Sequence, residues 1–540
     1  MGLIVYSGCR KPNLQVKNPI NPVISQRDSV HTILGQKLEN PYTLGNMRKA
    51  FRKIRTLSDS TNNSTTLTNP VRLTHKYIRF LPKDTLEYDR LVRDTVLKLY
   101  DTPLDYEIAK QGNYYHDPTV KWNLYTWLYA SVPANHALIK GIQYQFLDSL
   151  YIPEEDPLLN QSTSSGVTVF SDNSVTKTNK IDINNLLNQA MTQTHNYDYV
   201  SNTKGKLSTL SYRPRGNVST FDTRLNRFVP LEGVRMRIRR WFSTSIQFTD
   251  ANGNYISQQR FKGPVNYYLF FETPRFDIRT GWFGQASING PKKSDPWDVA
   301  IGRDDINRFY ADVFRGAYRY WYGDIGGLYR PTILAAIKYA ARDINGNNQG
   351  VATPGASLLG IFPQIFIMRK NSTERVYDSD EIYSTTVHET AHYTHNRLLL
   401  SVRLLDVNSM IRESWATAVE LYLTKKEYQA RGIANYGNFN YTEVPRDFFP
   451  TYRGYQEGKA SASYTPLFID LVDNYNQKEQ IKPSLVHYIN DNITGYTMPE
   501  LESYLSTVHN QSALRKELKR NKPAGITDTQ IDNFLEQFEF

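Results

Sequence analysis

His388-Glu389-Thr390-Ala391-His392 is the stretch of sequence that decides how the C-terminal half of the chain is interpreted, because it has the pattern H-E-x-x-H. The surrounding residues 381–400 contain neither Gly nor Pro, so a helix can run through the motif. Histidines four positions apart lie on one face of a helix, and both imidazoles can bind the same metal ion. A catalytic Zn²⁺ needs a third protein ligand, which must come from another element.

A second helix is predicted shortly after the first, over 410–428, with Asn408 and Ser409 as residues that favour a helix start. It carries two acidic candidates for the third ligand, Glu413 and Glu420. The two helices together resemble the gluzincin metallopeptidases, in which a ligand glutamate follows H-E-x-x-H by some twenty residues on the next helix.

This resemblance implies Zn²⁺ as cofactor, held by His388, His392 and Glu413, with Glu389 as the general base. Glu420 is the alternative ligand, or an acid that supports the site from outside it. The metzincin pattern is excluded, because it requires a third histidine six positions after the second, where this chain has Leu398.

Other residues of the resembled family are matched less closely. The family stabilises the oxyanion with a downstream Tyr or His; Tyr464 is the candidate, with Tyr455 and His487 as alternatives. His395 is either a substrate contact or hydrogen-bond donor near the metal, or an ordinary polar helix residue. Thermolysin-like enzymes carry an orienting acid four residues after the ligand glutamate, but Thr417 stands there, so that orientation must come from elsewhere.

The composition is that of an ordered globular protein with more than one domain. The chain has 540 residues, of which 40% are hydrophobic and 22% charged. A net charge of +11 is modest for this length and predicts a solvated basic surface without a nucleic-acid partner. The single cysteine excludes both a disulfide framework and a cysteine-rich zinc module.

That cysteine, Cys9, ends an apolar run in Ser7-Gly8-Cys9, which resembles a bacterial lipobox without its basic start. The motif predicts an exported lipoprotein anchored at the bacterial cell surface, with the membrane contacted only through a lipid on Cys9. The alternative is a thiol without function.

Residues 222–280 predict a small β-sandwich. Val234, Met236 and Ile238 alternate with arginines, which is the pattern of a half-buried strand whose arginines form the solvent face. The segments 230–234 and 249–255 resemble the carboxypeptidase-regulatory type of β-sandwich, with a tight turn rich in Asp, Asn and Gly in the second segment.

Further elements are predicted around these landmarks. One helix is centred on 306–317, and another begins at Pro331 and ends near Asn345. The apolar run 359–368 is a strand; the family resemblance implies that 365–368 is an edge strand binding extended peptide, and the alternative is a plain core strand.

The predicted fold class is therefore multidomain α+β, with a zincin-like catalytic domain, mostly helical with a small sheet. The predicted parts are a truncated lipobox-like segment (1–9), a polar tether (10–75), a helical region (76–155), an Asn/Ser/Thr-rich linker (156–221), the antiparallel β-sandwich (222–280) and the zincin-like domain with a helical C-terminal subdomain (281–540). The predicted function is zinc-dependent hydrolysis of extracellular proteins or peptides. The alternative is a surface binding lipoprotein with a degenerate, non-catalytic zincin domain.

Overall fold

The computed structural model describes sixteen stretches of the chain, and they form a mixed α+β protein. The described residues are 31–59, 69–110, 112, 115–121, 124–156, 183–197, 212–281, 284–333, 336–345, 350–352, 363–399, 404–434, 436, 465–474, 476 and 489–538. Cys9, on which the lipoprotein prediction depends, lies outside them. Among the described helices, none combines the length and apolar character that crossing a membrane requires.

The N-terminal part is built around a three-stranded antiparallel sheet of order β4-β2-β5. Its elements are β1 (Ile33–Lys37), α1 (Leu44–Asp59), β2 (His75–Leu81), α2 (Thr85–Arg93), β3 (Tyr106–Lys110), β4 (Leu128–Pro133), β5 (Gln143–Leu150) and α3 (Ile183–Gln193). The prediction of a tether over 10–75 is wrong for its described part, because α1 buries Met47 and Phe51.

The predicted helical region 76–155 is correct only for α2. The apolar run at 127–132 is a strand, β4, whose alternate side chains enter two different hydrophobic clusters. Trp127 and Tyr129 belong to one cluster, and Leu128, Ala130 and Val132 belong to the other. A strand buried on both faces is apolar at every position, so its sequence resembles that of a buried helix.

Two four-stranded sheets follow, over 215–301, which extends beyond the predicted 222–280. Their strands are β6 (Arg215–Asp222), β7 (Arg227–Pro230), β8 (Arg235–Arg240), β9 (Ser243–Phe248), β10 (Asn254–Ile256), β11 (Val265–Phe270), β13 (Ser287–Lys293) and β14 (Val299–Ile301). One sheet has the order β13-β11-β8-β9; the other is β10-β6-β14, with β7 also paired to β6. All of these pairings are antiparallel except β6 with β14.

The predicted tight turn is present between β9 and β10. Asp250 Oδ1 accepts hydrogen bonds from the backbone N–H groups of Asn252 and Asn254. Gly253 has a φ of +77°, and a Cβ there would lie 2.2 Å from the carbonyl oxygen of Val218. Only glycine fits this position without displacing β6.

The arginines of β8 do not form a purely solvent-facing surface, so that prediction is wrong. The guanidinium of Arg237 lies 4.4 Å from the ring centroids of both Tyr100 and Phe270. Tyr100 belongs to the N-terminal part, so this face of the sheet packs against it. A planar guanidinium stacks well on aromatic rings, which is why the alternating pattern does not mark a wet face here.

The C-terminal part combines a four-stranded sheet of order β12-β15-β17-β16 with seven described helices. Its elements are β12 (Phe276–Arg279), α4 (Ile306–Tyr322), β15 (Ile337–Asn345), β16 (Gly350–Ala352), β17 (Ile365–Lys370), α5 (Ser379–Leu398), α6 (Ser409–Ala430), α7 (Leu467–Asp470), α8 (Met498–Tyr504), α9 (Gln511–Arg520) and α10 (Asp528–Leu535). Helix α5 packs against both α4 and α6. The prediction of α4 is confirmed.

The helix predicted from Pro331 to Asn345 is wrong, because the structure has strand β15 there. β15 lies inside the sheet, hydrogen-bonded in parallel to β12 and β17. Tyr339, Ala340 and Ala341 are all buried, so the sequence lacks the alternation that marks a half-exposed strand. Tertiary burial outweighed the local helix-start signal of the proline.

A buried ionic cluster fastens the β6–β7 turn to the helices that carry the candidate site. Asp222 is fully buried; its Oδ2 accepts hydrogen bonds from Arg315 Nη1 of α4 at 2.8 Å and from the Tyr428 hydroxyl of α6 at 3.0 Å. Next to it, the backbone N–H of Thr223 donates to Ser379 Oγ at the start of α5. The β6–β7 turn thereby contacts α4, α5 and α6.

Replacing Asp222 by Ala is expected to lower the free energy of unfolding by about 2–3 kcal/mol, because Arg315 loses the shortest of its three ion pairs and the buried Tyr428 hydroxyl loses its acceptor. Asp343→Ala is the control: Asp343 pairs with Arg369 at 3.1 Å but is exposed, and an exposed pair contributes at most about 1 kcal/mol. Urea unfolding followed by circular dichroism measures both variants. Equal losses in the two variants would contradict the structural role of Asp222.

Candidate metal centre

Helix α5, which carries the H-E-x-x-H motif, begins at Ser379. The backbone N–H of Asp378 donates to Glu381 Oε2 at 2.8 Å, as in a capping box. The helix then runs through the motif, and every residue from Ser379 to His395 is buried. The motif therefore lies inside the protein, between α4, α6 and the sheet.

The structure brings the three predicted ligands together. His388 and His392 are each 3% exposed, and their ring centroids lie 4.8 Å apart. Glu413 enters from the first turns of α6, with Oε2 3.0 Å from His392 Nε2 and 3.6 Å from His388 Nε2. The sequence prediction of Glu413 rather than Glu420 as the third member of the cluster agrees with this geometry.

These separations fit a single small metal ion. Two ligand atoms bound at about 2.0–2.1 Å from Zn²⁺ in tetrahedral directions lie about 3.3 Å from each other. The two distances to Glu413 Oε2, 3.0 and 3.6 Å, lie on either side of that value. Two imidazoles and one carboxylate are also a donor set that Zn²⁺ accepts, and they leave a fourth position open.

Glu420 supports the cluster from the other side of His388. Its Oε2 lies 3.0 Å from His388 Nδ1, and the side chain is buried. A carboxylate on Nδ1 places the ring proton there, so Nε2 is left as the metal-binding nitrogen. The orienting acid is therefore seven residues after Glu413, and not at Thr417, four residues after it.

The electrostatics of the cluster favour a positive charge. Burial lowers the pKa of His388, but hydrogen bonds to Glu413 and Glu420 outweigh it and raise this pKa to about 10. Burial raises the pKa of Glu413, but the charges and hydrogen bonds of both histidines hold it well below its usual range. Without a metal, His388 is therefore protonated and pairs with the ionised Glu413, and a cation bound between them would replace the proton on His388 Nε2.

Glu389 lies beside the cluster on the same helix, 1% exposed, and strand β16 crosses directly over it. A Cβ at Gly350 of β16 would lie 2.6 Å from Glu389 Oε1 and 2.7 Å from its Cγ. The strand can approach the carboxylate this closely only because residue 350 has no side chain. Gly350 was not predicted from the sequence; an isolated glycine in a short strand was the available signal.

Of the two alternatives for 365–368, the structure has the plain core strand and not the edge strand. These residues belong to β17, which is paired with β15 on one side and with β16 on the other. Within the described residues, the edge of the sheet next to α5 is β16, which runs antiparallel to β17. The strand that lies over the motif is therefore β16, which neighbours β17 in the sheet and precedes β17 in the sequence.

Other sequence-predicted residues are not part of the described site. Tyr464, Tyr455 and His487 lie outside the described residues, so the oxyanion prediction stays a prediction. His395 is fully buried, and neither of its ring nitrogens makes a hydrogen bond to a residue that the structure describes. It is therefore not a solvated helix residue, and burial lowers its pKa to about 3.

Comparisons with known proteins do not identify a relative: no family model, no curated protein and no solved structure matches this chain. The functional proposal therefore rests on the chemistry and the geometry of the site.

Proposed function

We propose that this protein is a zinc-dependent peptidase with a zincin-like catalytic domain. The observation that carries the proposal is the convergence of His388 Nε2, His392 Nε2 and Glu413 Oε2 at distances that suit one tetrahedral ion. A Zn²⁺ ion bound there would lower the pKa of a coordinated water towards 7 and polarise the carbonyl of the scissile bond.

The protein groups around the ion have separate tasks in this proposal. Glu389 takes the proton of the attacking water and passes it to the leaving amine, acting as general base and then as general acid. Glu420 keeps the proton of His388 on Nδ1. Because Glu389 and His388 are buried, bulk water is kept away from the proton that Glu389 transfers and from the proton on His388 Nδ1.

A peptide in extended conformation is the substrate that the neighbouring sheet suits best. β16 is an edge strand within the described residues, and a peptide can add to such an edge through backbone hydrogen bonds. Because β16 lies directly over Glu389, a peptide bound along it has its backbone close to the general base. Amide hydrolysis needs that proximity.

Gly350→Ala is expected to lower kcat/KM by about 100-fold while the protein keeps its metal, because the added methyl group forces Glu389 and β16 apart. Gly302→Ala is the matched control, since a Cβ at Gly302 has no atom within 4 Å. Steady-state cleavage and metal content of both variants should be measured. Equal activity of the two variants would contradict the close placement of β16 over the general base.

Cleavage of a broad peptide library and of denatured casein, with and without a zinc chelator, tests the proposed activity. The expected result is cleavage that the chelator stops and added zinc restores. A zinc-loaded protein that cleaves nothing would instead favour the binding lipoprotein with a degenerate site. The proposed location, outside a bacterial cell and anchored through Cys9, is tested by metabolic labelling of the protein with a fatty acid: label on the wild type but not on Cys9→Ser is expected, and an unlabelled wild type would contradict the anchor.

A further inference from the structure

The ligand Glu413 is held by its neighbour Arg412 as well as by the histidines. Arg412 Nε donates to Glu413 Oε1 at 3.0 Å, while Glu413 Oε2 is 3.0 Å from His392 Nε2. The two oxygens of the carboxylate therefore have different partners. Both side chains are largely shielded from solvent, with 13% of Arg412 and 4% of Glu413 exposed.

This contact is not what helix spacing alone produces. Consecutive side chains on an α-helix point about 100° apart, so residues i and i+1 do not normally face each other. The contact between Arg412 Nε and Glu413 Oε1 therefore needs a specific side-chain conformation, and both residues lie in the first turns of α6. In a shielded environment a charge-assisted hydrogen bond of this kind fixes the orientation of the carboxylate.

We propose that Arg412 is a positioning residue for the metal ligand: its Nε–H occupies Glu413 Oε1, so that Oε2 alone is presented to the metal. This inference rests on the proposed zinc site. A carboxylate that is free to rotate can offer both oxygens to one ion and take up the space that a catalytic site keeps open. Arg412 prevents this, and its own positive charge is a cost to cation binding that the orientation outweighs.

Two neutral variants of the full-length protein separate the hydrogen bond from the charge. In Arg412→Gln the side-chain amide nitrogen takes the position of the arginine Nε and keeps a donor there. In Arg412→Met the chain length is similar and the donor is lost. We expect Arg412→Gln to bind zinc at least as tightly as the wild type, and Arg412→Met to bind it about 10–100-fold more weakly than Arg412→Gln.

Zinc affinity is measured by competition with a chelating dye, and the visible absorption of the cobalt(II) form reports the coordination number. Arg412→Gln should keep the wild-type cobalt spectrum, whereas Arg412→Met should show the weaker absorption of a higher coordination number. Arg397→Met, on α5 and hydrogen-bonded to Tyr393, is the control and should bind zinc as the wild type does. Equal zinc affinities of Arg412→Gln and Arg412→Met would overturn the inference, whereas a wild type that binds no zinc would overturn the proposed function itself.

Discussion

Glu389→Gln is expected to abolish peptide hydrolysis while leaving the metal in place. Glu389 is not among the three clustered ligand groups, so its replacement leaves the donors His388, His392 and Glu413 unchanged. An amide has nearly the same shape as the carboxylate but cannot take a proton from water. Loss of general acid–base catalysis lowers kcat by about 10²–10⁴-fold.

The control for this variant is another buried glutamate changed in the same way. Glu502 on α8 is 3% exposed, and burial raises its pKa to about 7, so the neutral amide resembles its protonated form. Glu502→Gln should therefore retain full cleavage and full metal content. A Glu389→Gln variant that cleaves as fast as Glu502→Gln would remove Glu389 from the mechanism.

Glu413→Ala is expected to lower zinc affinity by several orders of magnitude, because one of three protein ligands is lost. Glu420→Ala removes only the hydrogen bond to His388 Nδ1, and loss of such a partner lowers metal affinity by about 10–100-fold. The two variants delete the same side chain from the same helix, so each is the control of the other. Equilibrium dialysis against zinc measures both affinities.

The opposite order of affinities has a definite meaning. If Glu420→Ala lost zinc and Glu413→Ala kept it, Glu420 would be the ligand, and the orientation of His388 in the structure would be wrong. If both variants kept full affinity, the metal would not bind at this cluster.

The candidate site could be predicted from sequence because its geometry is set by helix periodicity. His388 and His392 are four residues apart, so they lie on the same face of a helix. Glu413 becomes their neighbour because α6 packs antiparallel against α5. The role of Glu420 was left open between ligand and support. The side-chain geometry favours the supporting role, because Glu420 Oε2 contacts Nδ1 of His388 and not the Nε2 that faces Glu413.

The errors in the fold have one physical source, which is burial by distant parts of the chain. In β4, and in the buried first half of β15, consecutive side chains are covered on both faces of the strand, so the apolar residues show no clear period of two. The sequence pattern predicts that Arg237 faces solvent, but in the structure Tyr100, more than a hundred positions away in the chain, packs on its guanidinium. The need for a glycine at position 350 likewise comes from Glu389, a residue of another element, which lies against its backbone.

The central claim is that His388, His392 and Glu413 form a zinc site, and metal analysis of the purified protein tests it most directly. Plasma emission spectrometry should find about one zinc per chain in the wild type and almost none in Glu413→Ala, while Glu389→Gln keeps the wild-type content. Absence of zinc from the wild type, even after dialysis against a zinc buffer, would contradict the claim.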